Sequence, residues 1–378
     1  MITAALAAAL GLAPPPGEAA ARTTSPRCEL HGAPTLVARV RGVDGRASVR
    51  VDATLGETVD VFLRAPGRLD GRAVTFADDG EAGHVSWTEA GCPAATLRWR
   101  RIEPRMEHVD TAPPNPGISI YANAVVFGPH HGQWIGHDAI EYVEAPIAAG
   151  DDRWTIAVTE ATPSDAALAA ARPPEARGRG VMRLSASLQV GDEAPRQTPG
   201  IGPRGVGDDV LRYTFRGGDD LFGWLTTFFN VPYVFGSAGV GARAQAERYV
   251  GADCADLIVA ALRRAGRREQ GYTSVAGLIR ALRAQSEPIE IRAGAPAPAV
   301  DYAPRPGDVL AIDYLNAAEL PRPWDHVVVF AVDRGPGGVA DGRLGPEDQV
   351  ADIGDQRGLK FAPLGDQGAV RVLPLRGR

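Results

Sequence analysis

Between residues 35 and 215 apolar side chains recur at every second position in short runs cut off by Gly, Pro, Asp or Asn, a period that excludes a helical body for half of the chain. Val49, Val51 and Ala53 alternate with Ser48, Arg50 and Asp52, which places one face on a core and the other in water. The runs 35–42 (TLVARVRG), 58–66 (TVDVFLRAP), 95–101 (ATLRWRR), 118–128 (ISIYANAVVFG), 153–161 (RWTIAVTEA), 181–191 (VMRLSASLQVG) and 210–217 (VLRYTFRG) read the same way. The 45 Gly and 31 Pro follow no triplet period and serve turns, so the chain is neither collagen-like nor disordered. Strands at this spacing predict a mainly β, sandwich-like region over 22–217. The alanine-rich stretch 162–177 is the helix-like insertion in it, and Pro113, Pro114 and Pro116 would divide it into two subdomains.

Near residue 218 the pattern changes. Asp219 and Asp220 are placed to cap a helix whose Leu221, Phe222, Leu225 and Phe229 share a face, and Ser274 precedes Val275, Leu278, Ile279 and Leu282 at helical spacing. After the turn 305–308 (RPGD) come the apolar runs 309–315, 326–332, 349–354 and 369–375. Helices followed by a meander predict an α+β layout for 218–378. Two domains suit a chain of 378 residues. Forty basic against 46 acidic side chains, a net charge of −6, argue against nucleic acid as a partner.

Residues 2–13 are uncharged and apolar and lead through Pro14, Pro15 and Pro16 to Ala19, Ala20 and Ala21, the layout of a secretory signal over 1–21. The run falls short of the roughly twenty residues that cross hydrocarbon, so no membrane span is expected. A secreted or periplasmic protein meets an oxidising compartment, where Cys28 and Cys92 in the strand-rich half form the natural disulfide and Cys254 stays free. His130, His131 and His137, with Asp138, offer zinc-type ligands, but adjacent histidines in a strand point to opposite faces; no metal and no cofactor is expected.

The most informative stretch is 251–266 (GADCADLIVAALRRAG). Asp253 is the candidate N-cap, Leu257, Ile258, Ala261, Leu262 and Ala265 form one apolar stripe, Arg263 and Arg264 suit the C-terminal dipole, and Gly266 ends the helix. Cys254 then lies in the first turn, where the helix dipole and unpaired N–H groups favour a thiolate and can hold an oxyanion. A structural buried thiol is the competing reading. A nucleophile needs a base, and His326 opens a buried strand in the same half; Asp352, one strand later, is placed to orient its ring, with Asp355 the substitute.

These residues resemble a known pattern. NlpC-like cell-wall peptidases, a papain-like group of bacterial cysteine hydrolases, carry Pro-Tyr-x-x-Gly-Gly, Asp-Cys-Ser-Gly-Leu at a helix start, Pro-Gly-Asp before a strand, His-Val at the next strand and a polar residue one strand later. This chain reads VPYVFGS (231–237), DCADL (253–257), RPGDV (305–309), DHVVV (325–329) and VADIG (350–354). The resemblance covers about 140 residues and implies a papain-like fold for 218–378, with Cys254 as nucleophile, His326 as general base and acid, and Asp352 as third member. It also implies that Tyr233 and Asp253 contact the substrate, a peptidoglycan stem peptide or other amide. The chain departs from the pattern at Ala255, Asp256 and Ser237, and Asp352 stands where histidine is more usual. The alternatives are a catalytically inactive binding protein of the cell envelope and a transglutaminase- or acyltransferase-like relative.

Overall fold

The computed structural model describes residues 27–105, 141–150, 152–170, 172–203, 205–238, 245–315, 324–354 and 358–377. The expected leader at 1–21, Pro113, Pro114 and Pro116, His130, His131, His137 and Asp138, and Asp355 lie outside the described residues.

The run 118–128 also lies outside the described residues; the described period-two runs of the N-terminal half form two six-stranded sheets. One is organised around the long strand Val59–Leu69, which pairs with Cys28–Leu30, Thr35–Val40, Arg72–Phe76 and Thr155–Val158. The other runs in the order Arg50–Thr54, Leu211–Arg216, Gly180–Val190, Ala95–Pro104, Tyr142–Pro146. Their facing side chains, among them Leu63, Phe76, Trp87 and Trp154 from the first side and Trp99, Leu184, Leu188 and Phe215 from the second, make one core. Cys28 and Cys92 are joined by a disulfide with 5.7 Å between their Cα atoms, tying the edge strand to the loop before Ala95–Pro104.

The C-terminal half is built on a seven-stranded sheet whose main order is Arg283–Ala284, Val370–Arg376, Val309–Tyr314, His326–Val332, Gln349–Gly354, Gly358–Pro363. Alternation assigns its two faces. Val309, Ala311, Val327, Val329, Ala351 and Ile353 pack on the helix Cys254–Arg264, whereas Leu310, Ile312, Val328, Phe330 and Val350 pack beneath Tyr302, Leu344 and Leu364. Burial of both faces explains why these strands read as unbroken apolar runs rather than as alternating ones. The turn at 305–308 is pinned by Asp308, 2% exposed, which accepts from Tyr302 Oη at 2.8 Å and from the Arg376 guanidinium.

The α+β, papain-like expectation is corrected here: among the described residues strand accounts for 39% and helix, 3-10 turns included, for 14%, distributed over several sheets and four α-helices. The helical periodicities marked faces but not lengths. After Leu221–Leu225 the hydroxyls of Thr226 and Thr227 bond the carbonyls of Gly223 and Trp224, both at 2.6 Å, and the chain tightens into a 3-10 turn. Ala166–Ala170 stops short of Pro173 and Pro174, and Val275–Ala281 gives way to an extended Leu282. Only Cys254–Arg264, at 11 residues, is a substantial helix among those described. No described helix is long and apolar enough to cross a membrane.

The halves are stitched by backbone acceptors. Asn230 Nδ2 donates to the carbonyls of Ala161 and Val181 at 2.9 Å each, and buried Arg183 donates to those of Arg248 and Tyr249 at 2.9 and 2.8 Å. These bonds set the segment that leads into Cys254–Arg264 against the N-terminal strands.

Candidate active site

Asp253 caps the helix Cys254–Arg264 as its sequence position predicts: the backbone is extended at that residue and Oδ1 accepts the Asp256 N–H at 2.8 Å. The stripe behind it, Leu257 to Leu262, is buried against the sheet, so the helix cannot rotate or slide without opening that core. The chain just before it lies beside 232–234, with Val234 N–H donating to Ala252 O at 3.0 Å and Ala252 N–H to Pro232 O at 3.1 Å. Gly251 permits the approach, since a Cβ there would stand 2.4 Å from Val234 Cγ2. Tyr233 forms the bridge with Ala252 and packs, partly buried, on the same core as Cys254.

His326 is the first residue of its strand and pairs with Ile312; Asp352 stands in the next strand, where Val329 pairs with Ala351. The register brings them together, and His326 Nε2 meets Asp352 Oδ1 at 2.8 Å. The Cys254 sulfur lies close enough to the His326 ring to raise its proton affinity, and with Nε2 held by Asp352 the ring nitrogen left for the sulfur is Nδ1. Cys254 keeps intermediate exposure, and the His326 side chain is 14% exposed. Cys254, His326 and Asp352 thus form one connected line from a helix start across two strands.

Charge and burial oppose each other along this line. Burial disfavours a charged imidazole, but the neighbouring Cys254 sulfur and the Asp352 carboxylate outweigh it, and His326 holds its proton well above the ordinary 6.5. For Asp352 burial would raise the carboxyl, yet the bond and charge of His326, aided by Lys360 and Gln367, hold it below the usual range. No family model, curated protein or solved structure matches the chain. Its chemistry must therefore be read from these side chains.

Two further residues escaped sequence reasoning. Gln367 Nε2 donates to Asp352 Oδ2 at 3.0 Å, and Gln367 Oε1 accepts from Tyr314 Oη at 2.8 Å. The Tyr314 ring lies nearly parallel to that of His326, with centroids 6.4 Å apart. Asp352 is thereby fixed from both sides, by the imidazole on one oxygen and the amide on the other. Gln367 stands in a 3-10 turn 41 residues beyond His326, and no local pattern marks it.

Asp253 is 1% exposed, with Oδ1 accepting the Asp256 N–H and Oδ2 accepting the Gly236 N–H at 2.9 Å. Potential metal ligands converge elsewhere, at Asp79, Glu81 and His84, with donor atoms within 4.8 Å of one another. Arg64 already supplies a cation there, bonding Asp79 Oδ2 at 2.7 Å and Glu81.

Proposed function

We propose that the C-terminal half is a cysteine-dependent amide hydrolase that works through a thioester, with peptidoglycan stem peptides as the substrate class implied by the NlpC-like motifs. The observation that carries the reading is the line Cys254, His326, Asp352: a thiol at a helix start beside an imidazole whose Nε2 is held by a buried carboxylate at 2.8 Å. The Cys28–Cys92 disulfide supports a compartment outside the reducing cytosol.

In this mechanism the Cys254 thiolate attacks the amide carbon, and the oxyanion that forms is held by the N–H groups and positive end of the helix Cys254–Arg264. Protonated His326 gives its proton to the leaving nitrogen as the C–N bond breaks, leaving a thioester and neutral imidazole. The imidazole then takes a proton from water while the oxygen attacks the thioester; the C–S bond breaks, an acid leaves, and the thiolate–imidazolium pair returns. Asp352 keeps the ring oriented and its charge balanced throughout. The test is incubation with purified muropeptides and mass analysis of the fragments. New amine and acid ends from the wild type, absent with Cys254→Ala, are expected. A wild type that leaves every amide intact, or fragments joined to an added amine instead of hydrolysed, would overturn the assignment.

A further inference from the structure

Two of the three positions at which the chain departs from the NlpC-like pattern around its turn and helix start are bonded to each other. Ser237 stands where the turn pattern has a second glycine, and its hydroxyl donates to Asp256 Oδ2 at 2.7 Å; Asp256 itself replaces a glycine two residues after the cysteine. Ala238 N–H donates to the same carboxylate oxygen at 2.8 Å, and Gly236 N–H donates to Asp253 Oδ2 at 2.9 Å. Three consecutive residues of the turn are therefore tied to two carboxylates that flank Cys254 in sequence. Ser237, Asp253 and Asp256 are 0%, 1% and 1% exposed, so these bonds are shielded from water. Gly236 sits at φ 71°, a left-handed conformation that glycine adopts freely, and this turns its N–H toward the cap.

We propose that Ser237 and Asp256, together with Asp253, form a clamp that positions the Cys254 thiol by fixing the helix start on the turn and that loosens as pH rises. The inference rests on reading Cys254 as the nucleophile, and Ser237 and Asp256 are positioning residues. Two carboxylates side by side in a dry site do not both ionise readily. Burial first, and then the Asp256 charge, push Asp253 up to about 8, and burial raises Asp256 as well. The other titratable or charged groups around the pair are Cys254 on the same helix, Tyr233 on the bridged segment, and Tyr272, whose phenol feels Asp256 and Glu247; Glu247 in turn pairs with Arg264. A carboxyl held above its unfolded value of 3.8 binds its proton more tightly in the fold, so its contribution to stability falls as pH rises from about 3.8 to about 8.

The experiment uses two readouts that need no substrate: the rate at which iodoacetamide alkylates Cys254, and Tm between pH 5 and 9. Asp256→Asn keeps an acceptor for Ser237 and Ala238 but removes one of the two charges. It should alkylate within about threefold of the wild type and show a visibly flatter fall of Tm with pH. Asp256→Ala, which loses the acceptor, should alkylate about tenfold more slowly, and Ser237→Ala should fall between the two. Parallel Tm curves for wild type and Asp256→Asn, or wild-type alkylation in both alanine variants, would overturn the clamp. Should Asp256→Ala fail to fold, the Asp256→Asn curve and the Ser237→Ala rate decide. A wild type that cleaves no muropeptide would sink the hydrolase reading while leaving these two measurements able to support or refute the clamp.

Discussion

Each half of the molecule contains a histidine bonded to a buried aspartate, and the two pairs are partnered differently. In the N-terminal half His84 Nδ1 lies 2.7 Å from Asp79 Oδ1, while Asp79 also takes the Arg64 guanidinium at 2.7 Å and the Glu81 N–H at 3.0 Å. Burial would raise Asp79, but His84, the Glu81 N–H and Arg64 together bring it below the usual carboxylate range. A permanent cation balances that carboxylate whether or not the histidine is charged. In the C-terminal half Asp352 has His326 on one oxygen and the neutral Gln367 amide on the other, and the far side of the imidazole meets a thiol. The cation bonded to Asp352 is then the imidazolium itself, with Lys360 on the neighbouring strand contributing only at a distance, and its proton is the one the proposed reaction moves. A histidine–aspartate pair alone is thus no sign of catalysis; what the carboxylate and ring meet on their other sides decides the role.

The largest expected contrast comes from deleting the thiol. Cys254→Ala should lower muropeptide turnover by about a thousandfold or more while keeping the melting curve of the wild type, because a first-turn position loses little packing. His84→Ala should leave turnover unchanged. Equal losses in both variants, read by steady-state kinetics, would abolish the distinction between the two pairs.

Cutting the disulfide probes stability in the N-terminal half alone. The bridge spans 64 residues, so Cys92→Ser should cost up to about 4 kcal/mol in denaturant unfolding, with turnover preserved in the folded protein. An unfolding midpoint that does not move would show that the two sheets hold the segment without it.

The paired aspartates sharpen the comparison further. Asp79→Ala leaves Arg64 without its buried partner and should cost about 2 kcal/mol, with no change in the C-terminal chemistry. Asp352→Asn should do the reverse, keeping the fold but lowering turnover about ten- to a hundredfold, the scale of residues that orient a catalytic group. If Asp352→Asn has no effect on rate, Cys254 and His326 act as a dyad.

The smallest effect is in pH. His326, held above 6.5 in the fold, contributes stability that is complete below about 6.5 and is lost as pH rises through its folded value; Asp352, held below 3.8, contributes stability above about 3.8 that is lost on acidification. The alkaline limb of the pH–rate profile should move down by about one unit in Asp352→Asn, because the ring loses its carboxylate. A limb that stays in place would assign it to another group.

Much of the local architecture was legible. The Asp253 cap and the stripe from Leu257 to Leu262 follow from spacings of three to four residues, and the strands opened by Val309 and His326 from continuous apolar runs after a turn. The helix lengths were not. The hydroxyls of Thr226 and Thr227 turned a helical face into a 3-10 turn, and the expected α+β half became a mostly β one.

By itself the sequence determined where strands and the one substantial described helix form, which cysteines bridge, and which residue types stand at the start of that helix. The register of the seven-stranded sheet decided the rest. Pairing His326 with Ile312 and Ala351 with Val329 brings together residues 26 positions apart, and the closing 3-10 turn then carries Gln367 onto Asp352. The same division separates Ser237 from Asp256, 19 residues apart, which sequence shows only as two unrelated departures and the fold joins in one hydrogen bond. The physical reason is range. Propensity and periodicity act over a few residues, whereas a hydrogen bond between distant side chains exists only once packing has fixed both backbones to within about half an ångström.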